Sequence, residues 1–132
     1  MGFEEIPHTA DWSLRVWADD LPGLLAESAR GMNVLTGAVL ADRPRLKRTF
    51  ETTGADGESL LVAFLTELVY SAEQENLGFD DFALEIKDDR LKVEMEGAPL
   101  KSLSKAIKAV TWHNLKIRET TRGLEVEIVF DV

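Results

Sequence analysis

The stretch from residue 55 to residue 78 limits most strongly what this chain can fold into. Apolar side chains recur there three and four residues apart, at Leu60, Leu61, Phe64, Leu65, Leu68, Val69 and Ala72. This spacing places them on one face of a helix, and a face this broad must be buried against other elements. Asp56 is the expected N-cap of this helix, and Gly78 is its expected end. A second helix is expected between an N-cap at Asp20 and a stop at Gly37.

In the other segments apolar residues alternate with polar ones, which is typical of strands with one buried face. Strands are predicted for residues 13–17, 46–53, 82–86, 91–95, 109–118 and 123–132. Asp88-Asp89 joins the third and fourth strands as a hairpin, and Pro99 to Ala106 is predicted to be loop or a short helix. The pattern therefore predicts an α+β fold. It would be a single-domain sheet-and-helix sandwich over residues 1–132, with about six mostly antiparallel strands and two long helices.

The alternation within residues 109–118 changes phase at His113-Asn114. A one-residue shift inside a strand indicates a β-bulge, and bulges often redirect side chains beside functional sites. The alternative interpretation is that the strand begins only at Leu115. Both interpretations remain open from the sequence.

The composition of the 132 residues excludes several kinds of protein. There is no cysteine, which excludes disulfides, thiolate chemistry and zinc held by sulfur. The net charge of −9 argues against broad binding of nucleic acid, and we interpret the basic clusters at residues 43–48 and 101–108 as solvated surface. No apolar run is long enough to span a membrane, and the first residues lack the features of a secretory signal. A cytoplasmic protein without a membrane partner is therefore expected.

The predicted final strand ends in two carboxylates. Its inward-facing residues are Leu124, Val126, Ile128 and Phe130. Asp131 therefore points to the other face, with the α-carboxylate of Val132 beside it, and two carboxylates this close repel unless a cation or basic group intervenes. Asp11 stands directly before the first predicted strand, where it has no helix to cap. If the two strand ends meet, which spacing alone leaves open, the three carboxylates form an all-oxygen cluster suited to Ca²⁺, Mg²⁺ or Mn²⁺.

Four further residues each have a functional and a structural interpretation. His8 could orient Asp11, or it could form a turn hydrogen bond to the backbone. Lys108 could neutralise the carboxylates or contact a phosphate, or it could be a solvated surface lysine. His113 could be a ligand but suits a packed strand position. Glu58 suits the first turn of the long helix, where its negative charge interacts favourably with the helix dipole.

Four blocks of the sequence resemble the archease family. They are HTAD at residues 8–11, DGESLLVAFLTELVY at 56–70, IKAVTWH at 107–113 and FDV at 130–132. The resemblance implies a small cytoplasmic protein that assists an RtcB-type RNA ligase in tRNA splicing or RNA repair, promoting guanylylation and turnover of the ligase. It also implies a divalent metal, Ca²⁺ before Mg²⁺ or Mn²⁺, held by Asp11, Asp131 and Val132. Lys108 matches a family lysine that acts with these carboxylates, and GTP would be bound by the ligase.

The sequence departs from the family pattern at three places. Trp12-Ser13 stands where a small or aliphatic residue followed by glycine is expected, Phe64 replaces an expected tryptophan, and Asn114 replaces an expected aspartate. The first change could alter the entry to the metal site, and the second indicates different packing in the core. The third removes any role that an acidic group would have at that position.

The resemblance implies that the protein activates an enzyme and is not itself an enzyme. Two alternative functions remain open. A free-standing metal-dependent nucleotide or phosphate enzyme would use Asp11, Asp131 and Lys108, although the sequence has no glycine-rich loop to hold a phosphate. A pure protein-interaction module would use its acidic edge only to bind a basic partner.

Overall fold

The computed structural model describes residues 1–6 and 12–132. This part of the chain contains two helices, α1 (Leu21–Thr36) and α2 (Gly57–Glu75). Its strands are β1 (Gly2–Ile6), β2 (Trp12–Ala18), β3 (Val39–Leu40), β4 (Leu46–Thr53), β5 (Leu77–Lys87), β6 (Arg90–Ser102), β7 (Ala109–Val110), β8 (Arg118–Thr120) and β9 (Gly123–Asp131). Neither helix has the length and apolar character that a membrane-spanning segment needs in the residues described.

The strands form two antiparallel sheets. In the first, the order is β1, β2, β9 and β7, and β8 also pairs with β9. In the second, β6 is the common partner of β3, β4 and β5. Helix α1 contacts β2 of the first sheet and β5 of the second, while α2 contacts β4, β5 and β7. The predicted α+β class is confirmed, although the described residues form nine strands rather than about six because several short edge strands complete the two sheets.

The predicted helix starts are confirmed at both N-caps. The Asp20 side chain accepts the Gly23 N–H at 2.8 Å, and the Asp56 side chain accepts the Ser59 N–H at the same distance. Gly37 ends α1 in the left-handed conformation, with φ of 64°, as glycine does without steric cost.

The predicted end of α2 at Gly78 is wrong, because the helix stops earlier. Asn76 adopts the left-handed conformation with φ of 56°, which asparagine tolerates better than most residues, and its N–H donates to the Ser71 carbonyl. Gly78 lies instead in β5, where a Cβ atom would come within 2.9 Å of the side chains of Leu40 and Leu100. This glycine is therefore needed for close packing between strands and not for ending a helix.

Both sheets and both helices contribute to one hydrophobic core. Its fully buried side chains include Leu14, Leu24, Leu25, Leu61, Phe64, Leu65, Leu91, Ile128 and Phe130. The ring of Phe64 stacks on that of Phe50 with centroids 6.4 Å apart and meets the ring of Phe82 edge-on at 5.8 Å. The predicted apolar face of α2 is the buried one, with Val69 and Ala72 partly exposed at its margin.

Two segments differ from the sequence prediction between residues 99 and 118. Strand β6 continues through Pro99 to Ser102, where loop or a short helix was expected, because β3 and the start of β5 pair with its far end. The strand predicted for residues 109–118 is also wrong: β7 ends at Val110 and β8 begins only at Arg118.

The phase change at His113-Asn114 marks a turn that lies between β7 and β8. Asn114 adopts a left-handed conformation with φ of 53°, and the Leu115 N–H donates to the Trp112 carbonyl at 3.2 Å. Neither the predicted bulge nor a strand starting at Leu115 is present. Beyond the turn, the Ile117 N–H donates to the Glu58 carboxylate at 3.4 Å, so the first turn of α2 holds this segment.

Candidate functional site

The last residues of β9 lie between two other strands of the first sheet. Phe130 is paired with Trp12 of β2 on one side and with Val110 of β7 on the other. One residue further on, Asp131 is paired with Ala109, and its carbonyl accepts the Lys108 N–H at 2.8 Å. Tertiary pairing therefore makes neighbours of two predicted site residues that lie 23 positions apart in the sequence.

The burial of these residues changes sharply along the strand end. Phe130 is fully buried, whereas Asp131 is exposed and Val132 is half-buried against the core. The Asp131 carboxylate therefore leaves the core at the strand end, where it avoids most of the desolvation cost of a buried charge. Lys108 is exposed as well, so both charged groups are accessible from solvent.

Two of the predicted site residues precede the first residue of β2. Asp11 and His8 lie outside the described residues, so the predicted three-carboxylate cluster and the role of His8 stay predictions. Within residues 1–6 and 12–132, no group of three histidine, aspartate or glutamate side chains is arranged to hold a metal. Asp131 supplies hard oxygen donors of the type that Ca²⁺ prefers, but fewer than its usual six to eight oxygens. A cation at this strand end therefore needs additional ligands.

Lys108 also borders an apolar cavity of about 370 Å³. The cavity lies between the C-terminal halves of α1 and α2, the start of β5 and the segment 103–108. This segment is attached to the end of α1, because the Thr36 carbonyl accepts the N–H groups of Ser104 at 2.9 Å and Lys105 at 3.2 Å. The sequence analysis missed the cavity, although the apolar residues spaced through 100–107 were a signal that this segment covers part of the core.

His113 and Glu58, which the sequence left open, have surroundings that indicate structural roles. His113 is exposed in the turn, with its Nε2 atom 3.3 Å from the amide nitrogen of Asn114, so the predicted packed strand position is wrong. Glu58 lies in the first turn of α2, as predicted, and it accepts the Ile117 N–H described above.

In the basic cluster at residues 43–48, two of the four basic side chains are paired with carboxylates. Arg45 lies 2.7 Å from Asp80 and 3.2 Å from Glu96, and Arg48 lies 2.7 Å from Glu75. Hydrogen bonding from the Arg48 guanidinium lowers the pKa of the Glu75 carboxyl below its ordinary value. These pairs explain why this cluster presents less positive charge than its sequence indicates.

Comparison with known proteins gives a consistent result across the whole chain. Residues 3–132 match the model of the archease protein family (MTH1598/TM1083). The chain is 33% identical to protein archease of Methanopyrus kandleri, with 100% of both chains covered. It is 31% identical to protein archease of Pyrococcus furiosus, covering 92% of this chain and 91% of that protein.

Two solved structures share the fold. The solution structure of Methanobacterium thermoautotrophicum protein 1598 aligns with a TM-score of 0.72 at 23% identity, covering 99% of both chains. The crystal structure of an archease, possible chaperone, from Thermotoga maritima aligns with the same TM-score at 21% identity, covering 98% of this chain and 96% of that one. Since the family model spans nearly every residue and the curated relatives are similar over the same length, this chain belongs to the archease family.

Proposed function

We propose that this protein is a metal-binding accessory activator of an RtcB-type RNA ligase. It would promote guanylylation and turnover of the ligase in tRNA splicing or RNA repair, in the cytoplasm, without itself forming the phosphodiester bond. Family membership supports the general role. The observation that carries the proposal is the contact between Lys108 and Asp131 at the end of β9, where a basic and an acidic residue are both exposed.

Covalent geometry supports the inclusion of Asp11 in this site. Consecutive Cα atoms are about 3.8 Å apart, so Asp11 is one peptide unit from Trp12. Trp12 is paired with Phe130, which is itself one peptide unit from Asp131. Each aspartate is therefore covalently next to one member of this cross-strand pair, which supports a shared cation site.

The carboxylates of Asp11 and Asp131, with the α-carboxylate of a chain that ends at Val132, form a donor set for a hard divalent cation. Ca²⁺ suits the set best because it accepts six to eight oxygens in flexible geometry, with water filling the remaining positions, while Mg²⁺ and Mn²⁺ are the alternatives. Bound there, the cation would offset the repulsion between the carboxylates and present a positive centre to phosphate oxygens.

Lys108 would complement the carboxylates by binding a phosphate oxygen. Its ammonium group has three N–H donors, and the residue is exposed to solvent. The Lys108 N–H donated to the Asp131 carbonyl fixes the backbone position from which the side chain extends. In the complex, the lysine would assist attack of the ligase histidine on GTP that the ligase binds.

The test is a single-turnover guanylylation assay of the ligase with GTP and Mn²⁺, with and without this protein. Wild-type protein should raise the rate, whereas Asp11→Asn and Lys108→Ala should each reduce the stimulation about tenfold or more. Asp81→Asn and Lys92→Ala are matched controls, because both residues are exposed in the second sheet. They should behave as wild type.

Three outcomes contradict the proposal. Stimulation by Asp11→Asn equal to that by wild type would remove this residue from the site. GTP turnover by the protein alone would instead support a free-standing enzyme. Binding to the ligase that is unaffected by a chelator, with no effect on guanylylation, would support a pure interaction module.

A further inference from the structure

The cavity beside Lys108 is suited to an apolar occupant. Its volume of about 370 Å³ lies in the range of sites that bind ligands in proteins. The lining side chains include Leu68, Ala72, Phe79, Leu103 and Ile107. Leu103 is 36% exposed although it is large and apolar, so the wall of the cavity continues onto the surface.

Two polar side chains in the cavity wall already have hydrogen-bond partners. The Asn33 side-chain amide donates to the Phe79 carbonyl at 2.7 Å, and the Thr36 hydroxyl donates to the Met32 carbonyl at 3.0 Å. Most of the remaining wall is apolar, so a polar occupant would lose its hydration with few hydrogen bonds to replace it, which is unfavourable. The buried part of the occupant must therefore be apolar.

The segment of residues 101–108, which forms one side of the cavity rim, is basic in contrast to the chain as a whole, while Glu73 of α2 also lines the cavity. Residues 101–108 contain three lysines and no acidic residue, whereas the whole chain has a net charge of −9. Lys101 and Lys105 are exposed, and neither forms an ion pair with any residue in the described part of the chain. This segment differs from residues 43–48, where Arg45 and Arg48 are paired with carboxylates. The rim therefore complements an acidic partner.

We propose that the cavity receives one large apolar side chain from an acidic segment of the partner ligase, while Lys101 and Lys105 face its carboxylates. This inference rests on the proposed function, since it identifies where the activated ligase docks. Lys101 and Lys105 lie four positions apart in the sequence, which matches an extended segment better than a small molecule with one acidic group. The cavity also borders Lys108, so a partner docked there would lie beside the end of β9.

The experiment measures association and dissociation rates of the ligase by surface plasmon resonance. Ala106 is exposed and borders the cavity, so Ala106→Trp should fill the entrance without disturbing the core. We expect dissociation to become about tenfold faster, as for loss of a central apolar contact. Leu103→Gln is a second variant with the same expected direction. Ala83→Trp, at an exposed position of β5, is the matched control and should leave the rates unchanged.

The charge contribution is tested separately. Lys101→Glu combined with Lys105→Glu should slow association roughly three- to tenfold at low salt, because charges at the rim of an interface act mainly on encounter. Lys87→Glu combined with Lys92→Glu makes the same change of net charge at the other end of the second sheet and should have a smaller effect.

The outcomes separate this inference from the proposed function. If wild-type protein stimulates guanylylation but neither Ala106→Trp nor Leu103→Gln accelerates dissociation more than twofold, the cavity is not the docking site. If both lysine pairs slow association equally, the rim has no specific role and the inference is overturned. If wild-type protein neither binds nor stimulates the ligase, the proposed function itself fails. Circular dichroism of every variant identifies effects that come from misfolding.

Discussion

Replacement of Phe64 by alanine tests the packing of α2 against the second sheet. Phe64 is fully buried, and its ring contacts Phe50 of β4 and Phe82 of β5. The tryptophan expected from the family pattern is absent here, so the fold depends on how the smaller ring is packed. Phe64→Ala removes both aromatic contacts and leaves a cavity between α2 and the strands β4 and β5.

The expected cost follows from the burial of the ring. Removing a fully buried phenylalanine side chain lowers the free energy of unfolding by about 3–5 kcal/mol. A chain of 132 residues has a total stability of about 7–20 kcal/mol at the usual value per residue. The variant should therefore remain folded at 25 °C, with a urea midpoint lower by roughly 2 M if the denaturant slope is about 2 kcal/mol per M.

Urea unfolding followed by circular dichroism measures this change. Tyr70→Ala is the control, because Tyr70 lies on the same helix but is 55% exposed and should cost less than about 1 kcal/mol. Equal costs for Phe64→Ala and Tyr70→Ala would refute the buried position of the Phe64 ring.

A double-mutant cycle tests the edge-on contact itself. The Phe64 and Phe82 rings are 5.8 Å apart with an interplanar angle of 87°. Such aromatic pairs contribute about 0.5–1.5 kcal/mol beyond the area that they bury. Phe64→Leu and Phe82→Leu should therefore show a coupling energy of this size. Strict additivity, within about 0.3 kcal/mol, would contradict the contact.

Three further changes test other parts of the structure. Gly97→Ala should lower the thermal midpoint by several degrees or prevent folding, since a Cβ atom there would collide with the Gly78 carbonyl of the adjacent strand; an unchanged midpoint would contradict this close approach. The lowered pKa of Glu75, caused by Arg48, means that the native state favours the charged carboxylate. Its stabilising effect is present above pH 4.5 and is lost as the pH falls through the native pKa of Glu75. Glu75→Gln should therefore make the stability of the protein decline less steeply in acid. An identical dependence of stability on pH in both proteins would refute this contribution. A glycine added after Val132 converts its α-carboxylate to an amide and should weaken Ca²⁺ binding about tenfold, or ~1.4 kcal/mol. The measurement is the increase in thermal midpoint that Ca²⁺ produces. An equal increase for both forms would show that this carboxylate is not a ligand.

The sequence was sufficient for features that depend on residues close together in the chain. The N-caps at Asp20 and Asp56, the glycine stop at Gly37 and the Asp88-Asp89 hairpin are all confirmed. Each depends on hydrogen bonds or backbone conformations within a few residues. The buried face of α2 was also predictable, because the helical repeat brings its apolar residues to one side.

The four sequence blocks were also sufficient to identify the family, and the family model confirms it. These blocks predicted that Lys108 acts together with Asp131, but only through the resemblance to the family. The register between β7 and β9 was required to bring these residues together, since strand pairing depends on contacts far apart in the sequence.

Tertiary structure decided the remaining features, which the local pattern could not predict. Asn76 ends α2 because Gly78 is required where β5 meets the side chains of Leu40 and Leu100. Residues 111–117 leave the sheet through a turn at His113-Asn114, and Glu58 of a distant helix accepts a hydrogen bond from Ile117. The cavity beside Lys108 exists only where four separate segments meet. Local sequence patterns indicate the conformation that neighbouring residues favour. Which distant segments pair with one another is decided only when the whole core packs.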